Sequence, residues 1–475
     1  MQDARRRMHE VYQFISEELY RVREDLEIGD HHYSSQLLFS LLGFVLRSLV
    51  FLVGDYGQGK TALAELVGSM LGGLPYPAVR FAVLRGSPEI TEDKIVGLVD
   101  LGKLQTGVVE VIWSPFVRSP VKVVDEITRI PEIKQAMLLE GVRTGQWQIY
   151  GRMFPEGTRS PLFATANFDS VAGTFEMVPA LQDRFSIGLA TEYPGVEACL
   201  DLVVSGDLED RAEKIGLAAY TEEAIRVLSS RSFDADLLDS LRARFKQHLV
   251  TRGIPTLSDQ EMSQAEEEIR RLGLRDDALL LMRFLISSLN ACPKAGQKRG
   301  EQYGNHQGEC PIDCKFYDSP CSWVLGGGSR RVEKALGEFA RAVAWFRGAS
   351  AVESEDIAVV APFVIWHRRE FSRDLMRKTK LESRRGYPMK LEAAFHLVGC
   401  ILEEYREQRD LLSRILDGKD QVVVHTGTDG EIRLRLDGQV VKPSELLVAF
   451  VHDYLELAPL PRRAVTKERE EVVKK

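Results

Sequence analysis

The sequence predicts an α/β protein: a parallel β-sheet covered by helices, followed by an all-helical region and a small C-terminal α+β module. Between residues 31 and 195, short apolar runs alternate with stretches of helical periodicity, a pattern typical of parallel sheets with crossover helices. From about residue 196 the pattern becomes wholly helical. A glycine-rich turn after the first apolar run of the core indicates which ligand the core binds.

This turn has the sequence of a phosphate-binding loop. The run "LVFLV" predicts a buried strand, and "TALAELVGSML" has apolar residues at helical spacing. Between them, "GDYGQGKT" matches the pattern G-x-x-x-x-G-K-T in both letters and context. The residues predicted to bind the nucleotide are Gly54, Asp55, Tyr56, Gly57, Gln58, Gly59, Lys60 and Thr61.

The chemistry of phosphate binding accounts for these residue types. Glycines allow successive backbone N–H groups to turn toward an anion, and the start of the following helix adds its own N–H groups and positive dipole end. We expect Lys60 to reach the β- and γ-phosphates of ATP and the Thr61 hydroxyl to hold Mg²⁺. A glycine-rich turn that binds nothing is the alternative.

Two acidic residues follow a later apolar run, "VKVV". We expect Asp125, at the tip of this strand, to hold Mg²⁺, and the adjacent Glu126 to polarise the attacking water. The alternative is an ordinary strand that ends in solvated acids. Asn167 ends another apolar run, "SPLFATAN", and the tips of parallel strands meet at one sheet edge, where ligands bind. We therefore expect Asn167 to orient the water or to sense the γ-phosphate.

The order of patterns predicts six regions along the chain. They are a charged N-terminal helix at 1–30, the nucleotide-binding core at 31–195, a helical region at 196–372 with a cysteine-rich insertion at 292–328, a basic linker at 373–390, a helix with a β-meander at 391–460 that a final helix at 444–456 closes, and a disordered tail at 461–475. Within the core, the predicted strands are "LVFLV", "VRFAVL", "VKVVDE" and "SPLFATAN".

Composition restricts the class of protein. A chain of 475 residues that is 44% hydrophobic and 28% charged is typical of a globular protein with several domains. The net charge of −8 does not favour a polyanionic partner. The N-terminus has no apolar signal region, and Arg47 interrupts the longest apolar stretch, so we expect a cytoplasmic protein with no membrane span.

Four of the six cysteines fall within thirty residues. They are Cys292, Cys310, Cys314 and Cys321. In a cytosolic protein, clustered thiols suggest a metal more than disulfides, and four thiolates suit Zn²⁺ or an iron–sulfur cluster. The spacing matches no common zinc ribbon or ferredoxin run, so unligated thiols remain the alternative.

Four stretches together resemble the MoxR group of AAA+ ATPases over roughly residues 30 to 370. They are "GDYGQGKT", "VVDEITRIPEIKQAMLLEGV", "FATANFDSVAGTFEMVPALQDRF" and "GGGSRRVEKALGEFARAVAWFRG". The chain departs from the family in reading Asp-Glu-Ile-Thr-Arg where Asp-Glu-Ile-Asn-Arg is typical, in its cysteine stretch, and in residues 375–475, which have no counterpart.

The resemblance implies an AAA+ core with an all-α lid, and a role for several polar residues. Asn167 resembles sensor 1, Arg184 resembles the arginine finger that reaches the ATP of a neighbouring subunit, and Arg331 resembles sensor 2, with Arg330 as a competitor. The segment 87–120 resembles the inserted hairpin–helix element of the family. The resemblance also implies a homo-oligomeric ring, expected to be a hexamer, and a protein partner with a von Willebrand factor type A domain.

Three functions remain open at this point. The leading hypothesis is a chaperone-like ATPase that remodels or activates a partner protein. A nucleic-acid motor or loader is the alternative, because residues 368–390 carry nine basic side chains against three acidic ones, although a solvated linker also explains them. A scaffold that binds ATP without hydrolysing it is the third, and the occupied catalytic positions disfavour it.

Overall fold

The chain divides into two compact units in a computed structural model. The first unit comprises Met1–Gly273 and Glu338–Ala351, and the second comprises Leu274–Gly337 and Val352–Lys475. The structure describes residues 2–20, 22–155, 159–167, 177, 179–191, 218–290, 319–325, 329–382, 387–417, 422–426, 432–436, 439–441, 447, 450 and 465–466.

A five-stranded parallel sheet forms the core of the first unit. In spatial order its strands are Ile187–Ala190, Leu49–Val53, Leu162–Ala166, Lys122–Asp125 and Leu84–Arg85. Every neighbouring pair is parallel. The two central strands are buried along their whole length, as expected for a sheet covered by helices on both faces. The carboxyl ends of all five strands therefore lie at one edge of the sheet.

The described residues of the first unit also form helices and three short antiparallel strand pairs. The helices are Gln2–Phe14, the π-helical turn Ile15–Leu19, Ser35–Val45, Lys60–Gly72, Tyr76–Phe81, Glu92–Ile95, Leu101–Leu104, Pro115–Arg118, the 3₁₀ turn Ile127–Arg129, Glu132–Thr144, Pro179–Gln182, Ala218–Ser229, Ala235–Thr251 and Asp259–Arg271. The antiparallel pairs are Leu26–Ile28 with His31–Tyr33, Gly97–Val99 with Val111–Trp113, and Gln146–Ile149 with Arg152–Pro155.

The structure corrects the predicted strand "VRFAVL". Residues Tyr76–Phe81 form a helix that follows Pro75, and the strand covers only Leu84–Arg85. Tyr76, Ala78 and Val79 are buried where this helix packs against helices Lys60–Gly72 and Ala218–Ser229, so the apolar run reflects the burial of a helix. The strand Ile187–Ala190 was not among the predicted strands, although all four of its residues are buried.

The second unit is helical with two small sheets. Its helices are Asp276–Asn290, Pro320–Trp323, Ser354–Ile365, Arg373–Glu382 and Met389–Asp417. Helix Arg330–Arg347 contributes its first residues to this unit and the rest to the first unit. Val324–Leu325 pairs with Glu370–Phe371. The predicted β-meander consists of the antiparallel strands Val422–Thr426, Ile432–Leu436 and Gln439–Val441.

Two segments in the C-terminal part of the chain, 373–390 and 461–475, differ from the prediction. The segment predicted as a basic linker at 373–390 contains the helix Arg373–Glu382. In the predicted disordered tail, Val465–Thr466 forms a parallel strand beside Val422–Val423, and the rest of the tail lies outside the described residues. Most of the final helix predicted at 444–456 also lies outside them.

None of the helices in the described part of the chain is both long enough and apolar enough to span a bilayer.

Candidate active site

The predicted phosphate loop connects the central strand Leu49–Val53 to helix Lys60–Gly72. Gly57 and Gly59 have φ angles of 76° and 73°, which glycine adopts without the strain that a Cβ causes. A Cβ on Gly54 would collide with the Thr191 hydroxyl and with the Gln58 amide. The loop geometry thus requires glycine at these three positions.

Lys60 lies beneath the loop and is only 8% exposed. Its Nζ donates hydrogen bonds to the carbonyl oxygens of Gly54 at 3.0 Å and Asp55 at 2.6 Å, and to Asn167 Oδ1 at 2.9 Å. Burial lowers the pKa of Lys60, while the nearby carboxylates, Asp125 first among them, raise it. The ammonium is therefore fixed at the carboxyl edge of the sheet.

Asp125 ends its strand next to the first helical turn after the loop. Its Oδ1 accepts hydrogen bonds from the Thr61 hydroxyl at 2.5 Å and from the Thr165 hydroxyl at 2.8 Å. Hydroxyl and carboxylate oxygens are hard ligands of the kind that Mg²⁺ prefers. Thr61 and Asp125 therefore fit the predicted magnesium site.

No group of three or more His, Cys, Asp or Glu side chains within the described residues is arranged to hold a metal ion. This finding does not bear on Mg²⁺ at a nucleotide, because that ion takes only one or two carboxylates from the protein and the remaining ligands from phosphate and water.

Glu126 has an unusual backbone for a non-glycine residue, with a φ angle of 53°. Its N–H donates to Thr165 Oγ1 at 2.9 Å, and a Cβ on Gly86 would collide with its carbonyl oxygen. Its side chain accepts from Asn167 Nδ2 at 3.3 Å and from Arg129 Nη1 at 2.9 Å. These contacts hold the carboxylate beside Lys60 rather than in open solvent.

Asn167 joins the two halves of the site. Its oxygen accepts from Lys60 and its nitrogen donates to Glu126. A single amide thus contacts both the group expected to bind phosphate and the group expected to polarise water. This is the position that the convergence of parallel strand tips predicted for it.

Two residues that no motif marked, Tyr20 and Thr165, also contact the site. Tyr20 donates to the Gln58 carbonyl at 3.2 Å, and a Cβ on Gly59 would collide with its ring, so the N-terminal segment braces the loop. Gln58 Oε1 in turn accepts from the Asp55 N–H at 2.7 Å. Thr165 lies inside the strand Leu162–Ala166, and threonine is common in strands, so no sequence signal marks its hydroxyl. Tyr56, at the tip of the loop, is 61% exposed.

Comparisons with known proteins agree with this fold. An AAA lid domain model matches residues 322–385. Chaperone MoxR1 of Mycobacterium tuberculosis is 24% identical over 340 residues, which is 71% of each chain. The crystal structure of a protein from Cytophaga hutchinsonii, described as an ATPase, has a TM-score of 0.53 at 18% identity and covers 84% of this chain and 94% of its own.

Together, these likenesses support a MoxR-family AAA+ ATPase. A full-length MCM homologue of Methanopyrus kandleri has 13% identity and covers 70% of this chain and 53% of its own. Its TM-score of 0.36 is too low to inform fold or function. The fold is the predicted one: an α/β AAA+ core whose parallel sheet is flanked by helices, together with a helical lid.

The MoxR resemblance singled out two arginines, and each contacts residues of its own unit. Arg184, whose side chain is 24% exposed, donates from Nη1 to the Ala136 carbonyl at 3.3 Å and to Glu140 at 3.4 Å. Arg331 lies in the first turn of helix Arg330–Arg347, and its N–H donates to Ser329 Oγ at 3.1 Å. The roles predicted for both arginines stay predictions.

The cysteine stretch of this chain is described only at one end. Cys292, Cys310 and Cys314 lie outside the described residues. Cys321 is buried in the short helix Pro320–Trp323. The prediction of zinc or an iron–sulfur cluster therefore gains no support.

Proposed function

We propose that this MoxR-type chain binds and hydrolyses ATP and uses the cycle to remodel or activate a protein partner. The observation that carries the proposal is the convergence of Lys60, Thr61, Asp125, Glu126 and Asn167 at the carboxyl edge of one parallel sheet. These residues come from two strand tips and one helix start. The direct test is phosphate release from ATP by the purified chain, with and without Mg²⁺.

Binding would use the loop and its lysine. The backbone N–H groups around Gly57 and Gly59 and the start of helix Lys60–Gly72 favour an anion. Lys60 would transfer hydrogen bonds from the carbonyl oxygens of Gly54 and Asp55 to phosphate oxygens. Mg²⁺, held by Thr61 and Asp125, would neutralise charge on the β- and γ-phosphates.

Hydrolysis would depend on the Glu126 carboxylate. Its two oxygens already accept from Asn167 and from Arg129, so each keeps a lone pair for a water molecule. A carboxylate so positioned can take up a proton from an attacking water as the bond to the γ-phosphate forms. Asn167 would hold the side chains of Glu126 and Lys60 at fixed positions relative to each other.

Replacing Thr165 with valine should lower ATP turnover at least tenfold while nucleotide affinity changes little. The fully buried hydroxyl serves both acids: it donates to Asp125 and accepts from the Glu126 N–H. Valine has the same shape but removes both hydrogen bonds and leaves the partly buried Glu126 N–H without its acceptor, which should also lower the free energy of unfolding by about 1–3 kcal/mol. Phosphate release, nucleotide titration and urea unfolding measure the three effects.

The matched control for Thr165 is Thr251→Val. Thr251 is exposed at the end of helix Ala235–Thr251, where its hydroxyl donates to the Gln247 carbonyl. Turnover and stability equal to those of the unmodified chain in the Thr165 variant would exclude the bridging role.

We also propose that the chain acts as a homo-oligomeric ring, expected to be a hexamer, in which Arg184 reaches the ATP of a neighbouring subunit. An arginine supplied in trans can be worth about 10³ to 10⁵ in rate. Replacing Arg184 with alanine should therefore abolish turnover but leave ATP binding intact, as measured by phosphate release and nucleotide titration. Arg143→Ala, on the neighbouring helix Glu132–Thr144, is the control.

A mixing experiment tests whether the arginine acts in trans. A Glu126→Gln chain and an Arg184→Ala chain each lack one half of an active interface. Mixed together, they should recover turnover, because some interfaces then combine an intact Glu126 with an intact Arg184. A mixture that recovers no turnover, or full turnover of the Arg184→Ala chain alone, would overturn the proposal.

The similarity to Chaperone MoxR1 supports a protein as the target of this cycle. We propose a cytoplasmic partner with a von Willebrand factor type A domain. A pull-down with the Glu126→Gln chain in the presence of ATP, followed by mass spectrometry, should recover it, since a slowed cycle prolongs the bound state.

The cysteines at 292–321 are proposed to bind zinc or an iron–sulfur cluster. Metal analysis of the purified chain tests this proposal.

A further inference from the structure

The first unit contains a cavity of about 330 Å³ at the edge of the sheet opposite to the phosphate loop. Its walls include Ser119 and Pro120, which precede the strand Lys122–Asp125, and Ser160 and Pro161, which precede the strand Leu162–Ala166. The cavity therefore lies at the amino ends of the strands whose carboxyl ends carry the candidate active site. Its volume is at the lower end of pockets that hold small molecules.

Arg118 lines this cavity and is 4% exposed. Its Nη1 donates to the carbonyl oxygens of Leu228 at 2.9 Å and Ser230 at 2.5 Å, and its guanidinium lies 5.1 Å from the centroid of the Phe233 ring. The other two nitrogens, Nε and Nη2, are buried and have no hydrogen-bond partner within the described residues. Burial accordingly lowers the pKa of Arg118 to about 10.

A buried guanidinium with three unpaired N–H groups is costly, because the desolvation of the cation is not compensated. The pair Nε and Nη2 forms one edge of the guanidinium, and that edge matches the two oxygens of a carboxylate or phosphate. The free edge of Arg118 thus has the geometry of an anion site.

The other charges in the cavity wall leave this positive charge uncompensated. Arg242 pairs with both acids of the wall, Asp239 at 2.7 Å and Asp259 at 3.1 Å, and Lys246 also pairs with Asp259. Arg47 pairs with Glu266. The remaining cation, Arg159, is exposed at the rim and makes no ion pair with a described residue.

Much of the remaining wall is apolar. It includes Phe44, Val117, Phe154, Phe233, Leu238 and Met262. A free inorganic ion would leave these side chains facing water, whereas a ligand with an apolar body would cover them.

We propose that this cavity binds a small organic anion, in which a carboxylate or phosphate group pairs with Arg118 and Arg159 and an aromatic or aliphatic body packs against the apolar wall. The site is separate from the phosphate loop in sequence and lies at the other edge of the sheet. Its ligand would contact Ser119 and Pro120, the residues that lead into the strand of Asp125.

Isothermal titration calorimetry on the full chain tests this proposal with benzoate and phenyl phosphate as probes. The chain carries Lys60→Ala, so that the phosphate loop does not compete for the phosphate probe. We expect at least one probe to bind, and the neutral analogue benzyl alcohol to bind at least tenfold more weakly. Comparison of the two anions shows which group the site prefers.

Variants of the two arginines locate the binding. Arg118→Gln and Arg159→Gln should each weaken binding at least tenfold, whereas Arg244→Gln, an exposed arginine on helix Ala235–Thr251 that pairs with Glu223, should not. If Arg118→Gln does not fold, Arg159→Gln decides, since Arg159 is exposed. The absence of binding by both anions, or binding that neither arginine variant weakens, would overturn the proposal.

Discussion

A chain in which Lys60 is replaced with alanine should lose at least about 100-fold in ATP affinity. The ammonium donates to two carbonyl oxygens of the phosphate loop, and hydrogen bonds from a charged donor to phosphate are the strong ones. The same change also removes the bonds that Lys60 makes to the loop carbonyls and to Asn167, so the loop loses part of its own support. Titration with a fluorescent ATP analogue measures the loss.

Lys94→Ala is the control for this experiment, because Lys94 is exposed and lies outside the loop. Lys60→Arg is an informative second variant. Arginine keeps the charge but needs more room, and Lys60 itself is only 8% exposed. We expect it to bind ATP weakly. Affinity in the alanine variant equal to that of the unmodified chain would contradict the assignment of the loop.

Replacing Glu126 with glutamine should lower turnover by about 10² to 10⁴ while ATP binding persists. Glutamine keeps the shape of the side chain and one oxygen that accepts from Asn167 or Arg129, but it cannot take up a proton from water. The expected result is a chain that holds ATP without releasing phosphate. Single-turnover phosphate release and a parallel nucleotide titration separate the two effects.

Glu132→Gln provides the matched control, because Glu132 is exposed in the first turn of the next helix. Unaltered turnover in the Glu126 variant would remove the proposed base. It would then favour a scaffold that uses ATP only to assemble.

The loop and the acidic strand tip could be predicted because their signals are local. Glycine at 57 and 59 suits the positive φ angles of the turn, and the helix begins at Lys60 directly after them. Likewise, an apolar run that stops at Asp125 places an acid at the end of a strand whatever its neighbours are.

Other features depended on contacts between distant segments. Asn167 could be placed at the correct edge of the sheet, but its contacts with both Lys60 and Glu126 follow from strand order and register. The hydroxyl of Thr165 and the contact of Tyr20 with the loop have no local signature, because each acts on residues more than thirty positions away.

By itself, the sequence determined the phosphate loop, the acidic strand tip and the helical character of the lid, since periodicity and turn residues act over short distances. Only the tertiary structure decided that Tyr76–Phe81 is a helix, that Thr165 joins two acids, and that Arg118 is buried with an unpaired edge in a cavity. The physical reason is the same in each case. Burial and hydrogen-bond pairing depend on which distant segments pack together, and periodicity along the chain does not record that.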